Sequence, residues 1–204
     1  MLFLESTSML SNLLSTLPDG KTIQVNIGSH WTAVVIKTDG EERCGLASSL
    51  ADENKRHGEP DVPQAGQLET LSGLELAALA QSEYPALASV GIAAINALIP
   101  PQFDAWVDIN AEEVIAEHGK GKLVALVGHF PFVSRLRTQV GELVVLEQNP
   151  QPDDLPANAA ADIIPKAGVV AITGTTLINR TLEDLLALCS PLPSALAAVP
   201  SGGL

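Results

Sequence analysis

Few side chains in this 204-residue chain can move a proton, hold a metal or attack a carbon, and their spacing narrows the chemistry. Cys44 and Cys189 lie far apart and form no Cys-x-x-Cys pair, so two free thiols is the plainer reading. His30, His57, His118 and His129 show no ligand spacing with one another or with either cysteine. With no His-Glu-x-x-His and no Asp-rich cluster, spacing alone assigns no metal site. Nor does any Gly-x-Ser-x-Gly or Cys/His arrangement mark a nucleophile.

Three segments remain, each following an apolar run: Gly128-His129-Phe130-Pro131, Glu147-Gln148-Asn149 and Thr173-Gly174-Thr175-Thr176. His129 is the candidate for proton transfer or metal ligation, since an imidazole can do either near neutral pH. A hydrogen-bonded structural role is its competing reading. Glu147 follows Gly128 by 19 residues, a spacing at which an acidic residue can meet ribose hydroxyls. A solvated strand-end carboxylate explains it equally well. The full Gly-x-Gly-x-x-Gly is missing, which argues against an NAD or FAD cradle. Thr173–Thr176 offers three hydroxyls and a glycine, a hydrogen-bonding cup or ordinary turn chemistry.

These segments need a scaffold that brings them together, and the surrounding pattern supplies one. Residues 122–127, 142–147 and 167–173 are apolar runs typical of parallel strands buried on both faces. Helical stretches at 111–117, 132–140 and 181–188 alternate with them. Thr181 is placed as N-cap of the last, with Asp184 close to a capping box. Strand–loop–helix repeated this way predicts a parallel sheet with crossover helices. In such a sheet ligands bind beyond the carboxyl ends of the strands, where all three segments fall.

The preceding half reads differently. Residues 7–17 carry helical spacing, and 22–27, 31–38 and 41–47 read as an antiparallel meander with Asp39-Gly40 as its second turn. A polar stretch at 51–73 is long for an internal loop. Two helices follow, 74–81 and 85–98, the second so rich in apolar, Gly and Ala residues that it must be buried. Pro100-Pro101 stops it. The chain thus divides into two domains, 1–101 and 102–204.

Twenty-four acidic residues against 11 basic ones leave a net charge of −13. Such a chain repels phosphate backbones and anionic membranes, and 3% aromatic residues leave little for base stacking, so neither nucleic acid nor membrane is an expected partner. The N-terminus has no basic region before an apolar stretch, and the longest apolar run is too short to span a bilayer, so a cytoplasmic location is expected. Residues 118–141 alone hold four cations, Lys120, Lys122, Arg135 and Arg137, with no Asp or Glu. The lysines precede the strand, so only the two arginines could approach the site; a solvated helix face is the simpler reading.

Taken together, Gly128–Pro131, Val145-Leu146-Glu147 and the run from Thr173 to Thr181 resemble the heavy-metal chelation family of prokaryotic proteins, whose C-terminal domain is Rossmann-like. Residues 28–35 and 89–98 resemble its companion N-terminal domain, an α+β unit with an enolase N-terminal-like fold. The resemblance implies an interdomain cleft lined by Asn96, Gly128, His129, Glu147, Gly174, Thr175 and Asn179. It implies a small-molecule or metal ligand, with a divalent or heavy-metal ion as the cofactor class left open and a homo-oligomer as a further expectation. Asn96, set in so apolar a helix, must find a hydrogen-bond partner, with a satisfied buried amide joining the domains as its competing reading. Residues 190–204 read as too rich in Pro and Gly for the family's next strand, so the second domain looks shortened. The reading is a binding protein or enzyme for a polar or anionic ligand, with His129 and Glu147 as the reacting pair. The alternative is a non-catalytic sensor or accessory subunit for a nucleotide-like metabolite.

Overall fold

The computed structural model describes residues 8–50 and 62–189 and the backbone of 195–199. Part of the polar loop expected at 51–73, including His57, lies outside the described residues. The chain divides into two compact units, residues 1–103 with 177–180, and residues 104–176 with 181–204.

The first unit is α+β. Helix α1 (Met9–Leu14) is capped by the Ser8 hydroxyl and is shorter than its apolar spacing predicts. Strands β1 (Lys21–Ile27), β2 (Trp31–Thr38) and β3 (Glu41–Ser48) form the expected antiparallel meander. Asp39 and Gly40, both at positive φ, make the β2–β3 turn, whose twist matches that of the flanking strands. Helix α2 (Gly73–Ala78) starts at a reciprocal capping box, in which Ser72 and Glu75 each satisfy the other's backbone N–H. Hydrogen bonds from the Leu74 and Gly20 N–H groups hold the Asp19 carboxyl below the usual carboxylate range.

Helix α3 (Pro85–Leu98) begins with proline at a position where the missing N–H costs nothing, and buries eleven of its fourteen residues. Two glycines set its packing distance. A Cβ at Gly91 would lie 1.9 Å from the Ala80 nitrogen, and one at Gly45 of β3 would lie 2.0 Å from the Ala93 carbonyl oxygen. Asn96 has the hydrogen-bond partner expected of it, without burial. It is exposed, and its amide donates to the Leu46 carbonyl of β3 at 2.8 Å. The buried faces of α3 are made by its other residues, so this position is free to be polar.

The second unit holds a five-stranded parallel sheet. In chain order the elements from residue 111 on are α4 (Ala111–Gly119), β4 (Leu123–Val127), α5 (Val133–Leu136), β5 (Glu142–Glu147), β6 (Leu155–Pro156), α6 (Ala160–Ile163), β7 (Val169–Thr173), α7 (Thr175–Ile178), α8 (Leu182–Ala187) and β8 (Ala195–Val199), the second half of α7 being assigned to the first unit. The strand order β6-β5-β4-β7-β8 is Rossmann-like and reverses direction of growth between β4 and β7. Successive β4 side chains enter opposite cores. Val124 and Leu126 meet Ile115 and Leu136, while Ala125 meets Leu146 and Ile164.

Two expectations are corrected here. The strand judged incompatible with residues 190–204 exists, because Ala195–Val199 fits five extended residues between the flanking prolines and pairs in parallel with β7. Thr181 does precede α8, but its side chain makes no cap hydrogen bond to the helix. Arg135 and Arg137 are both exposed, as the simpler reading has it. Arg137 donates to the Leu143 carbonyl at the start of β5, and Arg135 forms a two-point bond to Glu112 of α4, at 2.6 and 3.1 Å.

That pair carries a pH prediction. The Arg135 hydrogen bonds hold the Glu112 carboxyl below the usual range, outweighing the upward push of burial. The stabilisation is therefore complete above the ordinary carboxylate pKa and is lost as pH falls through the lowered value. Denaturant titrations at about pH 7 and about pH 3 should show wild type losing more stability across that interval than Glu112→Gln. Equal losses would refute the assignment.

Among the described residues no helix is long and apolar enough to cross a membrane. Both cysteines are free, Cys44 exposed and Cys189 buried; burial pushes the Cys189 thiol pKa up.

Candidate functional site

The site in the second unit starts from a backbone feature. After β4 the chain must turn at once, and Gly128 does so at φ +102°, outside the range of ordinary side chains. Its N–H still bonds the Leu146 carbonyl at 2.9 Å, extending the β4–β5 ladder by one step. A Cβ here would sit 3.1 Å from Cβ and Cγ2 of Thr173, so the turn rests directly on the end of β7. Behind it, Phe130 and Phe132 stack at 5.2 Å and Phe130 is buried, which anchors the turn in the core.

His129 is then held at two atoms. Its backbone N–H donates to Glu147 Oε2 at 2.9 Å, while the other carboxylate oxygen accepts the Gln148 N–H at 2.7 Å. Its ring Nδ1 lies 2.8 Å from Asp154 Oδ2. That same oxygen accepts the Gln151 N–H at 3.1 Å, an arrangement reached through the positive φ of Asp153. The Asp154 side chain is 1% exposed and that of His129 27%. The carboxylate is thus enclosed while the imidazole keeps an open face.

At the neighbouring strand end the threonines bond mainly to one another. Thr173 Oγ1 and Thr175 Oγ1 are 3.1 Å apart, the Thr175 N–H reaches Thr173 Oγ1, and the buried Thr176 hydroxyl donates to the Thr173 carbonyl at 2.7 Å. Gly174 between them is half-buried. Gly128, His129, Glu147, Gly174 and Thr175 therefore share the carboxyl edge of β4, β5 and β7. Asn96 and Asn179 belong to the first unit. There Asn96 holds the β3 edge, and Asn179 is half-buried in the short segment 177–180.

Sequence reasoning missed Asp154. It stands 25 residues from His129 in the loop after β5, and only the fold selects it from the adjacent Asp153. The polar loop following a strand of this sheet was the available signal, since such loops lie at the ligand-binding edge.

Among the described residues no group of three or more His, Cys, Asp or Glu could hold a metal ion. The donor set around His129 agrees, because oxygens of both carboxylates already accept N–H bonds. Those residues do not fit a resident metal centre. They offer one open imidazole face.

Comparison with known proteins supplies the relatives. Two family profiles match, DUF4213 over residues 10–99 and DUF364 over residues 110–196, and both are described as "Putative heavy-metal chelation". An uncharacterised protein of Methanocaldococcus jannaschii is 30% identical over 183 residues, covering 86% of this chain and 69% of the relative. A DUF364-family protein of unknown function from Desulfitobacterium hafniense is similar in structure, with TM-score 0.78 and 25% identity over 93% of this chain and 76% of its own. A second DUF364 structure, from Pyrococcus horikoshii, shares the fold with TM-score 0.72 and 21% identity, over 93% of this chain and 77% of its own. Both halves of the chain agree with one another and with a relative that spans them, and the chain belongs to the DUF364 family.

Proposed function

We propose that the carboxyl edge of the parallel sheet binds a polar or anionic small molecule, or a metal ion carried by one, with His129 as the side chain that touches it. The observation that carries this reading is the double restraint on His129, at its backbone N–H and at Nδ1, with part of the ring still exposed. Restraint of that kind is how a binding group is kept in one geometry. Glu147 shapes the turn that presents the imidazole, and Gly174 and Thr175 line the next strand end. A metal in this scheme is cargo, since His129 would be one ligand among donors that the small molecule brings. The family description favours a metal-bearing ligand.

Thermal shifts and calorimetric titrations with divalent ions, alone and with small chelating acids, test the reading. His129→Ala is expected to weaken the response by about 10–100-fold, the loss of one strong polar contact or metal bond. An unchanged response in His129→Ala would refute the site. Absence of any response to ions in wild type, with or without the acids, would remove the metal component.

A further inference from the structure

We propose that Asp154 is a positioning residue that fixes His129 as the Nδ1–H tautomer and presents Nε2 as a bare lone pair. The inference rests on the reading that His129 touches the ligand, and it narrows what that ligand must be.

The argument follows from which atoms can donate. Asp154 Oδ2 receives the Gln151 N–H, which can only donate, so this oxygen is an acceptor. The same oxygen lies 2.8 Å from His129 Nδ1. An ionised carboxylate has no proton to give, so the proton in that bond is the imidazole's. A neutral imidazole carries one N–H, and with it on Nδ1 the Nε2 lone pair is left uncovered. The enclosure of Asp154, 1% exposed, keeps water from competing for its oxygen. Glu147 adds a second constraint from a different element. By accepting the His129 N–H it holds the backbone from which the ring projects, while the ring itself is oriented by its bond to Asp154. Two carboxylates thus act on one residue from the end of β5 and from the loop beyond it, and neither has to touch ligand.

An uncovered lone pair selects its partner. At the point facing Nε2 the ligand presents an acidic proton or a cation, and a carboxylate or phosphate oxygen without a proton is repelled there. The anionic portion of the ligand must lie elsewhere along the edge. With the imidazole neutral, this separates the site from one built for a bare anion, in which imidazolium N–H groups would point outward.

Long-range proton–nitrogen NMR on the full chain reads the tautomer directly, with His129 assigned by comparison with His129→Gln. Spectra are taken at about pH 8.5, above the ordinary histidine range. Wild type is expected to show His129 with the proton on Nδ1. In Asp154→Ala the proton should move to Nε2, the preferred site of an unconstrained imidazole, while the amide spectrum away from the loop stays unchanged. A role confined to stabilising the loop would leave the tautomer as it was. A wild-type Nε2–H tautomer, or retention of Nδ1–H in Asp154→Ala, overturns the proposal. Should that variant not fold, Asp154→Ser and the wild-type spectrum decide between the same outcomes. The result is independent of ligand binding. A correct tautomer with no response to any ion or chelating acid would sink the ligand reading and leave this one standing.

Discussion

Gly91→Ala is expected to lower the melting temperature by more than about 10 °C. The reason lies in what the methyl would meet. Its carbon would fall 1.9 Å from the Ala80 nitrogen, 2.5 Å from the Ala80 Cα and 2.5 Å from the Leu79 carbonyl carbon. All three are backbone atoms, so no side chain can rotate aside. The helix α3 or the turn 79–81 must move by more than an ångström, against a core in which Leu76, Ala77, Ala80, Val90 and Ala94 are fully enclosed. Overpacking with some freedom to adjust costs about 1–3 kcal/mol. This case belongs at or above the upper end, and each kcal/mol is worth about 4–8 °C in a unit of this size. The gain in helix propensity from Gly to Ala, about 1 kcal/mol, does not offset it. Calorimetry checks the result, and a melting point within 3 °C or so of wild type would show that the backbones are not in contact.

Gly128→Ala is expected to cost about 2 kcal/mol and also to weaken, by about 10–100-fold, any response that depends on His129. The first effect is conformational, since a side chain at φ +102° is strained by about 1–3 kcal/mol. The second is positional. To relieve the contacts with Thr173 the turn must lift from β7, and this carries the His129 N–H away from Glu147 Oε2. Loss of such an outer partner typically weakens a ligated imidazole by about 10–100-fold. Gly121 is a built-in control. It has φ +68° and open space around its missing Cβ, so Gly121→Ala suffers the backbone strain without the displacement. Denaturant titration should rank the two variants within about 1 kcal/mol of each other. Ligand titration should separate them sharply. Equal ligand responses in both would mean that the turn does not govern the site.

The elements that position the site were legible because each had a local cause. Residues 142–147 and 85–98 match β5 and α3 to the residue, one an apolar run of strand length and the other an unbroken apolar helix opened by proline. The meander came from β-formers around Asp39-Gly40, whose positive φ values are what that dipeptide favours. Strand β8 was hidden because five small and branched residues between prolines are a weak signal, and pairing with β7 defines them as a strand. That Asn96 needs a partner was legible, but helix composition does not say which position faces outward. The placement of Gly128, His129 and Glu147 at one sheet edge followed from strand order, a rule that needs only the parallel pattern. Asp154 could not be found that way, since its bond to His129 depends on how a loop folds back, and that is set by Asp153 at φ +74°.

The close backbone approach on two sides of α3 also has a consequence in time. Gly91 places the helix against residues 79–80, and Gly45 lets β3 come up to Ala93 and Ala97. A helix clamped in this manner cannot open its central turns one at a time, because each opening must first separate a pair of touching backbones. Its amide protons from Ala88 to Ala97 should therefore exchange with deuterated solvent only when the whole first unit unfolds, and their exchange rates should converge on a single free energy. Asn96, exposed on this element, donates its amide to β3 from a backbone that moves only with such openings.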